Sequence, residues 1–182
     1  MPVLIRLAVL ILGLTVAAAA SADQKKKDLE NMLYLELKSG RVVIQLLPDV
    51  APKHVARVKE LARQKFYDGI VFHRVIPGFM AQSGDPTGTG TGGTGQKLPA
   101  EFSKQPFERG TIGAARTSDP NSADSQFFIC FADAPHLNGQ YTVWGKVIEG
   151  MDLVDKIAAG EPPADPDKIV TLRVAADVEE KK

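Results

Sequence analysis

The chain has 182 residues with 22 basic and 22 acidic side chains and no net formal charge, so it lacks the basic footprint of a nucleic-acid binder. It is 44% hydrophobic, with one cysteine, Cys130, which excludes an intramolecular disulfide. Within "QFFICF", Cys130 reads as a small buried hydrophobe rather than a reactive thiol.

The opening "MPVLIRLAVLILGLTVAAAASADQ" runs from Arg6 through an apolar stretch, Leu7 to Val16, into small residues. That is the order of a secretory signal peptide, with cleavage after Ala20-Ser21-Ala22 leaving Asp23 as the new N-terminus. A transmembrane anchor, the other reading, needs about 20 apolar residues, and this run drifts into alanines before reaching that length. Residues 1–22 are therefore set aside as a leader, and no membrane association is expected once it is removed. About 160 residues remain, the size of one domain. Residues 23–31 read as a charged, mobile lead-in, 32–176 as the folded domain, and 177–182 as a solvated tail.

Structure is expected from Met32. Leu33, Leu35 and Leu37 alternate, as do Val42, Ile44 and Leu46 after Ser39-Gly40, which predicts a β-hairpin with Ser39-Gly40 as its turn. The period then changes. Pro52 suits a first helical turn, and Val55, Val58, Leu61 and Ala62 form one helical stripe. Further on, "IVFHRV", "GTIGAA", "QFFICF", "TVWGKVI" and "KIVTLRV" are short apolar runs set off by turn residues. Such spacing predicts an all-β sandwich or barrel. A second helix is expected in "GMDLVDKIAA", with Met151, Val154 and Ile157 inward and Gly160 then Pro162 stopping it.

The run "GTGGTG", Gly90 to Gly95, matches the dinucleotide pattern G-x-G-x-x-G in letters only. No helix begins at these glycines, Pro99 follows closely, and no G-K-[ST] ending is present, so the segment reads as an irregular surface loop. His54, His73 and His136 lie far apart without zinc-ligand spacing, and no G-x-S-x-G elbow marks a nucleophile. No metal and no cofactor is implied. Arg74 stands out, set among Phe72, Val75, Ile76, Pro77, Phe79 and Met80. In a strand, Phe72, Arg74 and Ile76 would share one face and His73 and Val75 the other. On residue type alone Arg74 fits a barrel surface, a buried ion pair or a functional site.

The stretch "VFHRVIPGFMAQSGD" resembles the central signature of the cyclophilins, the peptidyl-prolyl cis/trans isomerases. The Gly-rich loop, then "FERGTIGAARTSDPNSADSQFFIC" and "HLNGQYTVWGKVIEGMDLVDKI", follow in the family's order, and the resemblance spans Met32 to Val174. It implies a closed eight-stranded antiparallel β-barrel with a helix over each open end. It also implies isomerisation of X-Pro bonds in unfolded or flexible polypeptides, a chemistry that requires neither nucleophile nor metal. By resemblance Arg74 stabilises the twisted amide. Phe79, Met80, Phe128 and Leu137 form the proline pocket, Gln82 and Gln126 bond the substrate backbone and steady Arg74, and Ala115 and Arg116 pair with its extended main chain. An apolar surround is expected to strengthen the field of Arg74.

The chain departs from the common family pattern in several places. His136 stands where many members carry tryptophan, a residue associated with tight cyclosporin binding, so weak cyclosporin binding is expected. Tyr141 stands where many place an active-site histidine, and Ala114 where methionine is frequent. Trp144 aligns with a buried phenylalanine and is expected in the core. The "ART" version resembles the bacterial branch, which with the leader points to the periplasm. A closed barrel has no exposed edge, so a monomer is the default. The other functional class open to this sequence is a proline-peptide binding module or holdase with little turnover.

Overall fold

A computed structural model describes residues 23–179; the leader expected at 1–22 and the last three residues lie outside the described residues. A helix over 23–30 (α1) precedes β1 (Met32–Leu37) and β2 (Gly40–Leu46), and the next helix, α2, covers Pro52–Arg63. Strands β3 (Arg74–Ile76), β4 (Met80–Ser83), β5 (Thr111–Ala114), β6 (Phe127–Cys130) and β7 (Val143–Glu149) follow. A short helix α3 (Met151–Val154), β8 (Thr171–Val174) and α4 (Ala175–Glu179) complete the order.

The eight strands form one antiparallel sheet in the order β3-β4-β6-β5-β7-β2-β1-β8. One hydrophobic core draws side chains from every strand, among them Leu35, Ile44, Val75, Ala81, Ile112, Ile129, Trp144 and Leu172. The sheet is therefore curled around a common interior. The expected closure is not observed as a strand ladder: the sheet is open between β3 and β8. Irregular backbone fills that seam. Gly69 N–H donates to Ile169 O at 2.7 Å, Ile169 N–H to Ile70 O at 2.9 Å, and Phe72 N–H to Asp167 O at 2.9 Å. These pairings occupy backbone polar groups along a would-be edge.

Val55, Val58, Leu61 and Ala62 of α2 are buried as the stripe predicted, and Pro52 begins the helix. The hairpin turn is Lys38-Ser39 rather than Ser39-Gly40, because Leu37 pairs with Gly40 across the ladder. The second predicted helix shrinks to four residues. Beyond Val154 the chain continues in i to i−3 bonds, Lys156 N–H to Leu153 O and Ile157 N–H to Val154 O, and Asp167 then captures the Ala158 N–H at 2.8 Å. Ile157 stays buried, so the periodicity recorded the burial but not the helix length.

The charged lead-in, expected to be mobile, forms a helix over 23–30. Leu29 packs against the core, and Glu30 accepts hydrogen bonds from Lys59 and Arg63 of α2. Arg63 also reaches Asp177 of α4 at 3.0 Å, so the segment expected to be a solvated tail is tied down at its start.

Strands β5 and β6 are buried along their whole length. Alternation sends Ile112, Phe127 and Ile129 into the core, while Phe128 and Cys130 point to the opposite face with Met80. There a second apolar cluster forms from Met80, Phe107, Phe128, Cys130, Ala134, Leu137 and Val143. Two covered faces explain the unbroken hydrophobic run "FFIC". Burial raises the Cys130 thiol to about 12, in keeping with an inert packing residue. Trp144 is also core, 1% exposed and edge-on to Phe127 at 5.8 Å.

Candidate active site

The second cluster is the floor of a cavity of about 330 Å³. Its lining comprises Arg74, Phe79, Met80, Gln82, Ala115, Arg116, Phe128, His136, Leu137 and Tyr141. Register explains how residues from separate strands meet. Arg74 pairs with Gln82 across β3 and β4, and Gln82 with Phe128 across β4 and β6, so one transverse row carries all three. The short 3-10 turn Pro135–Leu137 adds His136 and Leu137 from the far side.

Met80, Phe128 and Leu137 are each at most 8% exposed and make a rigid apolar base. Phe128 stacks on Phe107 at 5.6 Å, which is possible only because residue 113 is glycine. A Cβ at Gly113 would lie 2.4 Å from the Phe128 ring and 2.7 Å from Phe107. Sequence reading did not single out Gly113 or Phe107; a glycine inside the strand run "GTIGAA" was the available signal. The walls are aromatic. His136 lies 5.4 Å from Phe79, and Tyr141 stands edge-on to Phe128 at 5.9 Å. The Arg116 guanidinium covers the Tyr141 ring at 4.3 Å while donating to Thr117 O and Gln140 O, both at 2.8 Å. Arg116 is thus a brace for the wall.

Arg74 differs from its expected setting. Its side chain is 43% exposed at the cavity edge, and its Nε donates to the Glu161 carboxylate at 2.7 Å. It is neither surrounded by apolar groups nor steadied by Gln82. Phe72 does not share its face: Phe72 belongs to the interior core, whereas Ile76 packs on the outer cluster, because the strand begins only at Arg74. His73 is buried beside Gly90, neither ring nitrogen has a hydrogen-bond partner among the described residues, and desolvation lowers its pKa.

Gln126 lies outside the first cavity and lines an adjoining one of about 210 Å³ that shares Gln82, Ala115 and Arg116 with it. Gln82 Nε2 donates to Gln126 Oε1 at 2.9 Å, and Gln126 Nε2 donates to Gly90 O and Gly92 O at 3.0 and 2.8 Å. Ala115 N–H is spent on Gln126 O at 3.0 Å, which leaves its carbonyl for any extended partner strand.

The glycine run has its explanation here. Asp85, fully buried, accepts from Thr87 N–H and Oγ1, both at 2.7 Å, and from the N–H groups of Gly90 and Gly92 at 2.6 and 3.0 Å. A Cβ at Gly92 would fall 2.2 Å from the Asp85 carboxylate. The glycines therefore allow close backbone approach to an internal carboxylate, not to a phosphate. Burial pushes Asp85 upward, but the bonds from Thr87, Gly92 and Gly90 outweigh it and bring the pKa down to about 2. No group of three or more metal-ligating side chains occurs among the described residues.

Residues 32–174 match the family model described as cyclophilin type peptidyl-prolyl cis-trans isomerase/CLD. The chain belongs to that family. A curated relative, a probable peptidyl-prolyl cis-trans isomerase of Brucella suis biovar 1 (strain 1330), is 51% identical, covering 91% of this chain and 92% of its own. Peptidyl-prolyl cis-trans isomerase B of Bacillus subtilis (strain 168) is 42% identical over 70% of this chain and 91% of its own. Among solved structures, the cyclophilin AquaCyp293 from Hirschia baltica superposes with a TM-score of 0.76 at 29% identity, covering 82% of this chain and 76% of that one. A Cryptosporidium parvum cyclophilin type isomerase, crystallised in the presence of the dipeptide Ala-Pro, gives 0.74 at 30% identity, covering 79% and 98%.

Proposed function

We propose that this cyclophilin is a peptidyl-prolyl cis-trans isomerase acting without a cofactor on X-Pro bonds of flexible polypeptides. The observation that carries the reading is an apolar cup, floored by Met80, Phe128 and Leu137, with the Arg74 guanidinium at its edge, while the other lining arginine, Arg116, is occupied by Tyr141 and two backbone carbonyls. Amide resonance sets a barrier of about 20 kcal/mol to rotation of an X-Pro bond, which holds exchange to tens of seconds or longer. In the twisted amide the nitrogen lone pair is no longer shared with the carbonyl. A pyrrolidine ring held in the cup leaves the preceding carbonyl free to swing, and an N–H of Arg74 can donate to the exposed lone pair. A permanently charged donor needs no pKa tuning. Because Arg74 is half-exposed, its contribution is that of an oriented donor more than of a field amplified by low dielectric. Gln82, Gln126 and the Ala115 carbonyl would bind the extended backbone on either side of the proline, a mode that reads little side-chain identity.

Export to the periplasm behind a cleaved leader, a monomeric state and weak cyclosporin binding belong to the same reading. The first is supported by the order of residues 1–22, and the last by His136 on the cavity wall. N-terminal sequencing of the exported protein tests the leader: a chain starting at Asp23 is expected, and an intact Met1 would remove the argument for export.

The deciding measurement is the cis-to-trans relaxation of a short X-Pro peptide with the wild-type protein and with Arg74→Ala. Wild type accelerates relaxation, and the variant loses about a hundredfold of that acceleration, the scale set by removing one oriented donor from a transition state. Peptide binding with relaxation no faster than in buffer would make the protein a binding module instead.

A further inference from the structure

We propose that Glu161 is a positioning residue for catalysis, holding Arg74 from outside the cavity so that its remaining donors are presented to the twisted amide. The inference rests on the isomerase reading. Backbone register puts Glu161 there. Val75 N–H donates to Gly160 O at 2.8 Å and Gly160 N–H to Val75 O at 2.9 Å, so the two residues form an antiparallel bridge. In that register residue 161 lies opposite residue 74. The pairing spans 87 positions in sequence, and the carboxylate meets the Arg74 Nε at 2.7 Å.

Among the described residues the Arg74 side chain has no other hydrogen-bond or ion-pair partner. Gln82, its neighbour across β3 and β4, gives its amide to Gln126 instead. Glu161 itself does not line the cavity, so it touches Arg74 without meeting a bound proline. A contact through Nε leaves the donors on both Nη atoms unspent, and the planar guanidinium turns as a unit, so fixing one nitrogen orients the others.

The carboxylate also weakens the positive field of Arg74, and the two effects oppose each other. Rotation of the amide displaces only a fraction of a charge onto the nitrogen, so the field lost is felt in proportion to that fraction. Loss of orientation, by contrast, removes the donor itself from the reacting atom for most of the time. Positioning therefore prevails.

The test compares wild type, Glu161→Ala, Glu161→Gln and Arg74→Ala, together with the Glu161→Ala/Arg74→Ala double variant, in peptide isomerisation with kcat and KM determined separately. Glu161→Ala is expected to lower kcat about three- to tenfold at unchanged KM, the signature of an interaction that matters only in the transition state. Glu161→Gln, which keeps an acceptor oxygen, is expected to restore most of the loss. With Arg74 absent, removing Glu161 is expected to have no further effect, since coupled residues are not additive. Unchanged or raised kcat in Glu161→Ala, a change in KM alone, or full additivity in the double variant would each overturn the proposal. A wild type without activity would instead overturn the isomerase reading itself.

Discussion

Gly113 does its work by lacking an atom. The stacked pair Phe107 and Phe128 lies where a methyl group at position 113 would be, and Phe128 is the cavity floor. Gly113→Ala therefore forces a ring into the cup, at the roughly 1–3 kcal/mol cost of overpacking. The expected outcome is a melting temperature lower by about 2–4 °C per kcal/mol for a chain of this size, with a loss of kcat/KM that exceeds what the stability change explains. Calorimetry and the peptide assay on one preparation check both, and an unchanged kcat/KM would show that Phe128 is not a wall of the working site. The identities of most lining residues were legible at this scale, because their order along the chain matches the family signature. What each one touches was not: Arg74 was expected in apolar surroundings and meets Glu161, and nothing local signalled the contact of Arg116 with Tyr141.

Among the elements, the glycine loop is a relay built on one carboxylate. Asp85 gathers the N–H groups of Gly90 and Gly92, and the carbonyls of the same two glycines hold Gln126, which in turn holds Gln82 at the cavity. Asp85→Asn keeps the shape but turns one acceptor into a donor facing N–H groups, a loss of about 1.5–3 kcal/mol for bonds to a charged partner. Faster amide exchange at Gly90 and Gly92 is expected, with weaker peptide binding through a loosened Gln126. If exchange quickens while binding is untouched, the relay ends at the loop. Strand β4 was missed in the sequence because four residues between Pro77-Gly78 and Gly84, one of them Gln82, show no alternation long enough to read.

For the whole molecule the shifted groups that titrate below neutral pH act in one direction. Buried His73 has its pKa lowered by desolvation, so below its ordinary value of about 6.5 the unfolded chain binds a proton that the folded one resists, and stability falls as pH falls. Lowered carboxylates add a second loss at lower pH. Glu30 is held down by its bond from Lys59, Asp68 by its bond from Arg173, and Asp85 sits at about 2. Their contribution is present above about pH 4 and disappears as pH drops toward the folded-state values. Denaturant titrations from pH 8 to 3 are expected to show a shallow decline below about 6.5 and a steeper one below about 4. In His73→Phe the upper decline disappears. Stability that rises between pH 7 and 5 would contradict this assignment.

By itself the sequence determined which segments alternate, which helix carries an apolar stripe, and which of its residues bury. Those properties are set within about ten neighbouring positions by the strand and helix periods. Leu33, Leu35, Val55 and Leu61 are all in the core accordingly. Only the tertiary structure decided that the gap between β3 and β8 is filled by irregular backbone, that the glycines serve Asp85, and that Arg74 is paired across 87 residues with Glu161. Such pairings depend on how distant segments align across the sheet, and a local pattern of polar and apolar residues records that a position is covered without recording by what.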